Sequence, residues 1–60
     1  MNREDLQEAI AATLEEIERV KKEIEETTDP WEELRLMRQK KELQIRQLWN
    51  IDQLEALKSI

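Results

Sequence analysis

The sequence predicts an all-α fold: a two-helix antiparallel hairpin that forms a homodimeric four-helix bundle. Apolar residues recur at helical spacing on both sides of Pro30, and most residues between them are strong helix formers. Only residues 27–29 separate the two helical patterns, and so short a connector places neighbouring helices side by side and antiparallel. We therefore treat residues 1–60 as a single helical-hairpin domain.

The first helix is predicted over residues 3–27. Asn2 is its expected N-cap, and two acidic residues in the first turn suit the positive end of the helix dipole. Apolar and threonine side chains alternate by four and three, which is the spacing of one seam on a helix. This seam comprises Leu6, Ile10, Thr13, Ile17, Val20, Ile24 and Thr27.

The second helix is predicted over residues 30–59, with Asp29 as its N-cap and Glu32 completing a box-like start. Its seam toward the first helix is predicted to follow Leu34 to Leu48, and the antiparallel register then brings Leu48 opposite Ile10. The predicted core of the hairpin and bundle is Leu6, Ile10, Ile17, Val20, Ile24, Leu34, Met37, Ile45, Leu48 and Ile51.

A second stripe on the second helix, spaced by seven residues, does not fit this seam. One partner helix cannot cover both faces, so another chain is expected to cover the second. The predicted oligomer or partner interface is Leu36, Leu43, Trp49, Leu54 and Leu57. As an alternative, Asn50 and Gln53 resemble an N-cap box, and a break there would give a short third helix.

Two further side chains carry specific expectations. Lys41 interrupts the predicted seam near Ile17, where its ammonium must reach solvent or a carboxylate of the first helix, and a polar residue at such a position commonly fixes register. Trp31, on the first turn of the second helix, is expected to cover the Thr27 end of the hairpin.

Composition excludes several classes of site. The chain has no Cys and no His, which removes disulfides, thiolate or imidazole zinc sites and two common nucleophiles. Glycine is absent, so phosphate-binding glycine loops are excluded as well. The carboxylates around the turn are interpreted as a solvated acidic tip. We therefore expect no enzyme activity, no catalytic residues, no cofactor and no metal.

The net charge of −5 argues against bulk attraction to nucleic acid or anionic lipid. Residues 35–46 nevertheless carry a net charge of +4, and the candidate anion contacts there are Arg35, Arg38 and Arg46. The longest apolar run, residues 9–12, is far too short to span a bilayer, and no signal peptide is recognised. A cytoplasmic location with no membrane partner is expected.

An acidic helical hairpin of this length resembles the Rop-type proteins, which are antiparallel four-helix bundles made from two hairpins. That resemblance implies dimerisation and an RNA-binding face on the first helices, where this chain carries Glu15, Glu16, Glu18, Glu23 and Glu26. The leading hypothesis is a non-enzymatic structural or interaction module, a small dimeric adaptor or regulator acting through apolar helix faces. Its partner is a second copy or another helical protein. The alternatives are an RNA-binding regulator of the Rop type that uses residues 35–46, and a designed bundle.

Overall fold

The computed structural model describes residues 2–58, which form two α-helices in an elongated hairpin of 47 × 14 × 13 Å. Helix α1 spans Arg3–Glu26 and helix α2 spans Pro30–Lys58. The all-α prediction is confirmed, and the described residues include no strand. The predicted end of the second helix at residue 59 lies outside the described residues.

Both ends of α1 are set by local hydrogen bonds. Asn2 is extended and its side-chain Oδ1 accepts from the Asp5 N–H at 2.8 Å, as expected of an N-cap. At the other end, Thr27 turns to φ −78° and ψ 143°, while its N–H still donates to the Glu23 carbonyl at 3.0 Å. The helix therefore ends at Glu26, one residue before the predicted end.

Asp29 organises the start of α2. Its Oδ1 accepts from the Trp31 N–H at 3.0 Å, and its carbonyl accepts from the Glu33 N–H at 2.9 Å. Glu32 does not complete the predicted box-like start, because the Asp29 N–H donates to Thr27 Oγ1 at 3.3 Å. Asp29 therefore caps α2 while Thr27 satisfies the Asp29 N–H.

We expect Asp29→Ala to lower the free energy of unfolding by about 1 kcal/mol, because the first turn of α2 loses its side-chain acceptor. Denaturant titration followed by circular dichroism measures this loss. Asp29→Asn is the matched control, since its amide oxygen still accepts from the Trp31 N–H. An equal loss in both variants would show that the carboxylate charge, and not the capping bond, stabilises this turn.

Helix α2 runs without interruption through Asn50, so the alternative of a break and a third helix is wrong. Asn50 is buried on the side of α2 that packs against α1. Neither Pro nor Gly follows it before the end of α2, and the packing of α2 against α1 offsets the modest helix propensity of asparagine. The hairpin is therefore continuous to Lys58.

The two helices pack through a small cluster of buried side chains. Ile17 and Val20 of α1 contact Leu36 and Leu43 of α2, with Ile24 packed against them. Nearer the open end of the hairpin, Leu6 is buried, while Ile10 is half-buried. The helix 1 residues predicted for the core therefore all lie on the side facing α2.

The predicted packing face of α2 is wrong. Gln47, and not Leu48, lies across from Ile10, and its Nε2 donates to the Ile10 carbonyl at 2.9 Å. A difference of one residue moves a position by only about 1.5 Å along a helix but rotates it by about 100°. The predicted register is therefore correct to within one residue along the helix axis, but the side of α2 that packs on α1 is not the predicted one.

The reversal affects two sets of predicted residues. The α2 residues that were assigned to the core are exposed: Leu34, Met37, Ile45, Leu48 and Ile51. Among those assigned to an intermolecular interface, Leu36 and Leu43 are buried within the hairpin, Leu54 is half-buried beside them, and Leu57 is largely exposed. Helix α1 of the same chain therefore covers this stripe from Leu36 to Leu54.

Candidate functional site

The strongest candidate for a functional surface is the side of α2 that faces away from α1. We call it the outer face and define it by six large apolar side chains, Trp31, Leu34, Met37, Ile45, Leu48 and Trp49. Their exposed fractions range from 50% for Met37 to 80% for Trp31. Single exposed apolar residues are common on proteins, whereas two clusters totalling six on one helix face require an explanation.

Helix geometry places this face opposite the hairpin contact. Leu43 follows Leu34 by nine positions, which is two and a half turns at about 3.6 residues per turn. The Leu34 side of α2 therefore points about 180° away from Leu43, which is buried against α1. No rotation of α2 allows α1 to cover both sides.

The size of the outer face is that of a protein interface. From the exposed fractions, its six side chains together present on the order of 700 Å² of surface, divided between two clusters on either side of Arg38 and Lys41. Stable interfaces bury about 800 Å² on each partner. The outer face is thus large enough to support specific association.

The interior of the hairpin is small and partly polar. Among residues 2–58, five apolar side chains are buried, together with Thr13 and Asn50. The buried Oε1 of Gln47 has no hydrogen-bond partner within this part of the chain. Because a buried polar atom without a partner costs free energy, these contacts leave the single hairpin only marginally stabilised.

Lys41 lies on the outer face and is exposed, so its predicted position in the hairpin seam near Ile17 is wrong. Lys40 is half-buried beside the hairpin contact instead. The cause is the same rotation of α2, which exchanges neighbouring positions between the two faces. Lys41 therefore places a positive charge within an exposed apolar surface.

The two tryptophans also lie outside the hairpin interior. Trp31 is 80% exposed, which contradicts the prediction that it covers the Thr27 end of the hairpin. Its position on the outer side of the first α2 turn explains the difference. Trp49, predicted to contact a second chain, is exposed next to Leu48. Both indoles are thus accessible to a partner.

The candidate anion contacts do not form a separate site. Arg35, Arg38 and Arg46 are exposed along α2, and Arg35 Nη2 lies 4.0 Å from Glu32 Oε1. By helix geometry Arg38 belongs to the outer face, whereas Arg35 and Arg46 lie at its edge. Arg38 therefore interrupts the apolar surface, while Arg35 and Arg46 border it.

The turn end of the hairpin carries two shallow clefts, of about 280 and 270 Å³. Asp29, Trp31, Glu32 and Arg35 line the first, and Glu32 also lines the second together with residues at the end of α1. Within residues 2–58, no three acidic side chains converge as metal ligands would. In the same range, neither helix is long and apolar enough to cross a membrane.

The stripe through Leu36 and Leu43 is recognised in the sequence but assigned to another chain, although a signal that it packs on α1 exists. Seven α2 positions continue an unbroken alternation of four and three, like the seam of α1: Leu36, Lys40, Leu43, Gln47, Asn50, Leu54 and Leu57. Three of these are polar, so a pattern based on hydrophobicity alone undervalues them. The long stems of lysine and glutamine pack well at such positions.

Comparisons with protein-family models, with curated proteins and with solved structures found no match to this chain.

Proposed function

We propose that this chain is a non-enzymatic interaction module that pairs with a second copy through the outer face of α2. The resulting assembly is a homodimer of four helices that serves as a small adaptor or regulator. The observation that supports the proposal is the set of six large apolar side chains exposed on one side of α2. Removing the central part of this apolar surface, around Ile45 and Leu48, from water on each copy supplies a driving force for association.

A second copy is the partner that the hairpin itself favours. The interior of a single chain buries few apolar side chains and includes Thr13, Asn50 and the unpartnered Oε1 of Gln47. Covering the outer face adds apolar burial that the interior lacks, so folding and association support each other. The exposed side of α1 is rich in glutamate and offers no comparable surface.

We expect the purified chain to be dimeric at micromolar concentration, with a thermal unfolding midpoint that rises with protein concentration. Each tenfold increase in concentration stabilises a dimer by about 1.4 kcal/mol relative to unfolded chains. Sedimentation equilibrium gives the mass, and circular dichroism at several concentrations gives the midpoint. A monomer mass together with a constant midpoint would contradict the proposal.

A further inference from the structure

This inference rests on the proposed function and specifies how two copies meet. Eight positions on the outward side of α2 are spaced alternately by three and four residues, and we call them the outer seam. They are Trp31, Leu34, Arg38, Lys41, Ile45, Leu48, Asp52 and Glu55. In order, the outer seam contains two apolar, two basic, two apolar and two acidic residues.

We propose that two copies pair through their outer seams in antiparallel orientation, with a two-fold axis between Ile45 and Leu48. In this register Ile45 meets Leu48 of the partner subunit, and Lys41 meets Asp52 of the partner subunit. Arg38 meets Glu55 of the partner subunit one layer further out. Apolar residues therefore occupy the centre, and opposite charges face each other on both sides of it.

Other arrangements either bring like charges together or do not close into a dimer. In a parallel, in-register pair, Lys41 would face the same residue of the other copy, as would Asp52, and like charges at close range are destabilising. An antiparallel pair centred near Lys41 would bring the basic residues together. A parallel pair staggered by fourteen residues also brings every charged position of the outer seam opposite the other sign, but it repeats head to tail and forms an open filament.

The same geometry determines the layout of the four helices. The outer seam lies about 180° from the hairpin contact, as the positions of Leu34 and Leu43 show. The two α2 helices therefore form the middle of the assembly, and each α1 lies on the outside. Four helices in a row result, unlike a square bundle, in which each helix contacts its two neighbours through adjacent faces.

Charge reversal tests the register. We expect Lys41→Asp and Asp52→Lys each to raise the dimer dissociation constant about tenfold, because each places two like-charged pairs across the interface. The double variant restores opposite charges and is expected to regain most of the affinity. Lys22→Asp, on the far side of α1, is the matched control for net charge and leaves the constant unchanged. Additive losses in the double variant would overturn the register.

Cross-linking tests the orientation, and the absence of cysteine makes single-cysteine variants unambiguous. A mixture of Lys41→Cys and Asp52→Cys chains is expected to form mixed disulfides, while neither variant cross-links to itself. Self-cross-linking of each variant would show parallel pairing and overturn the inference while leaving the dimer intact. Oligomers that grow with concentration would show the staggered filament. A monomer at every concentration would overturn both this inference and the proposed function.

Discussion

Replacing Leu48 with glutamate is expected to abolish the dimer and leave a monomeric chain. Leu48 is 64% exposed in the single hairpin and lies beside the proposed two-fold axis, so each dimer would bury two new carboxylates. Burial of an unpaired charge costs several kcal/mol, and we expect the dissociation constant to rise at least about a thousandfold. Sedimentation velocity over a hundredfold range of concentration measures this change.

Leu14→Glu is the matched control for that experiment. Leu14 is 52% exposed, but it lies on α1, away from the outer face. The substitution makes the same chemical change, and we expect its dissociation constant to stay within about threefold of the original. If Leu14→Glu also dissociates the dimer, α1 contributes to the interface and the four helices are not arranged in a row.

The second large effect is expected inside the hairpin, where Leu43→Ala should leave most of the chain unfolded at low concentration. Leu43 is 5% exposed and packs with Ile17, Val20 and Leu36. Truncating a buried leucine typically costs about 2–5 kcal/mol, which is comparable to the whole stability that a core of this size supplies. Circular dichroism at micromolar concentration measures the lost helix.

Ile45→Ala provides the comparison, because Ile45 is only two residues away but 59% exposed. Its truncation is expected to weaken association, so that a higher protein concentration restores the helix content. Leu43→Ala should require a much higher concentration for the same recovery. The opposite order would mean that the Ile45 side of α2 packs against α1.

Local sequence signals were sufficient to predict the helices and the turn. Asn2 and Asp29 accept backbone hydrogen bonds at the helix starts, and Pro30 begins α2 as expected. These features depend on residues within one or two turns of each other, so short-range stereochemistry determines them. The end of α1 differed by one residue because Thr27 adopts an extended backbone.

The packing face of α2 depends on long-range contacts and was predicted incorrectly. Two seams with regular spacing lie on opposite sides of α2, and the more apolar one, through Leu34 and Leu48, was assigned to the hairpin. In the structure, the seam through Leu36 and Leu43 packs against α1 even though it includes Asn50. Hydrophobicity measures how strongly a face avoids water, but it does not specify which partner covers it.

The same limit applies to the candidate interface. The sequence indicated that α2 has two faces and that α1 can cover only one of them, and both points agree with the exposed residues of the structure. The residues of the outer face became recognisable only after the hairpin contact was located. Lys41 illustrates this, because its role changes from a charge inside the hairpin to a charge at an intermolecular surface.

The location of the two indoles allows folding and dimerisation to be followed by two different spectroscopic signals. The chain contains no other aromatic residue, and Trp31 and Trp49 both lie on the outer face. Fluorescence emission therefore responds to the environment of the outer face, whereas far-ultraviolet dichroism responds to helix formation. Stopped-flow mixing with both detectors would resolve whether chains fold before they meet, without any added label.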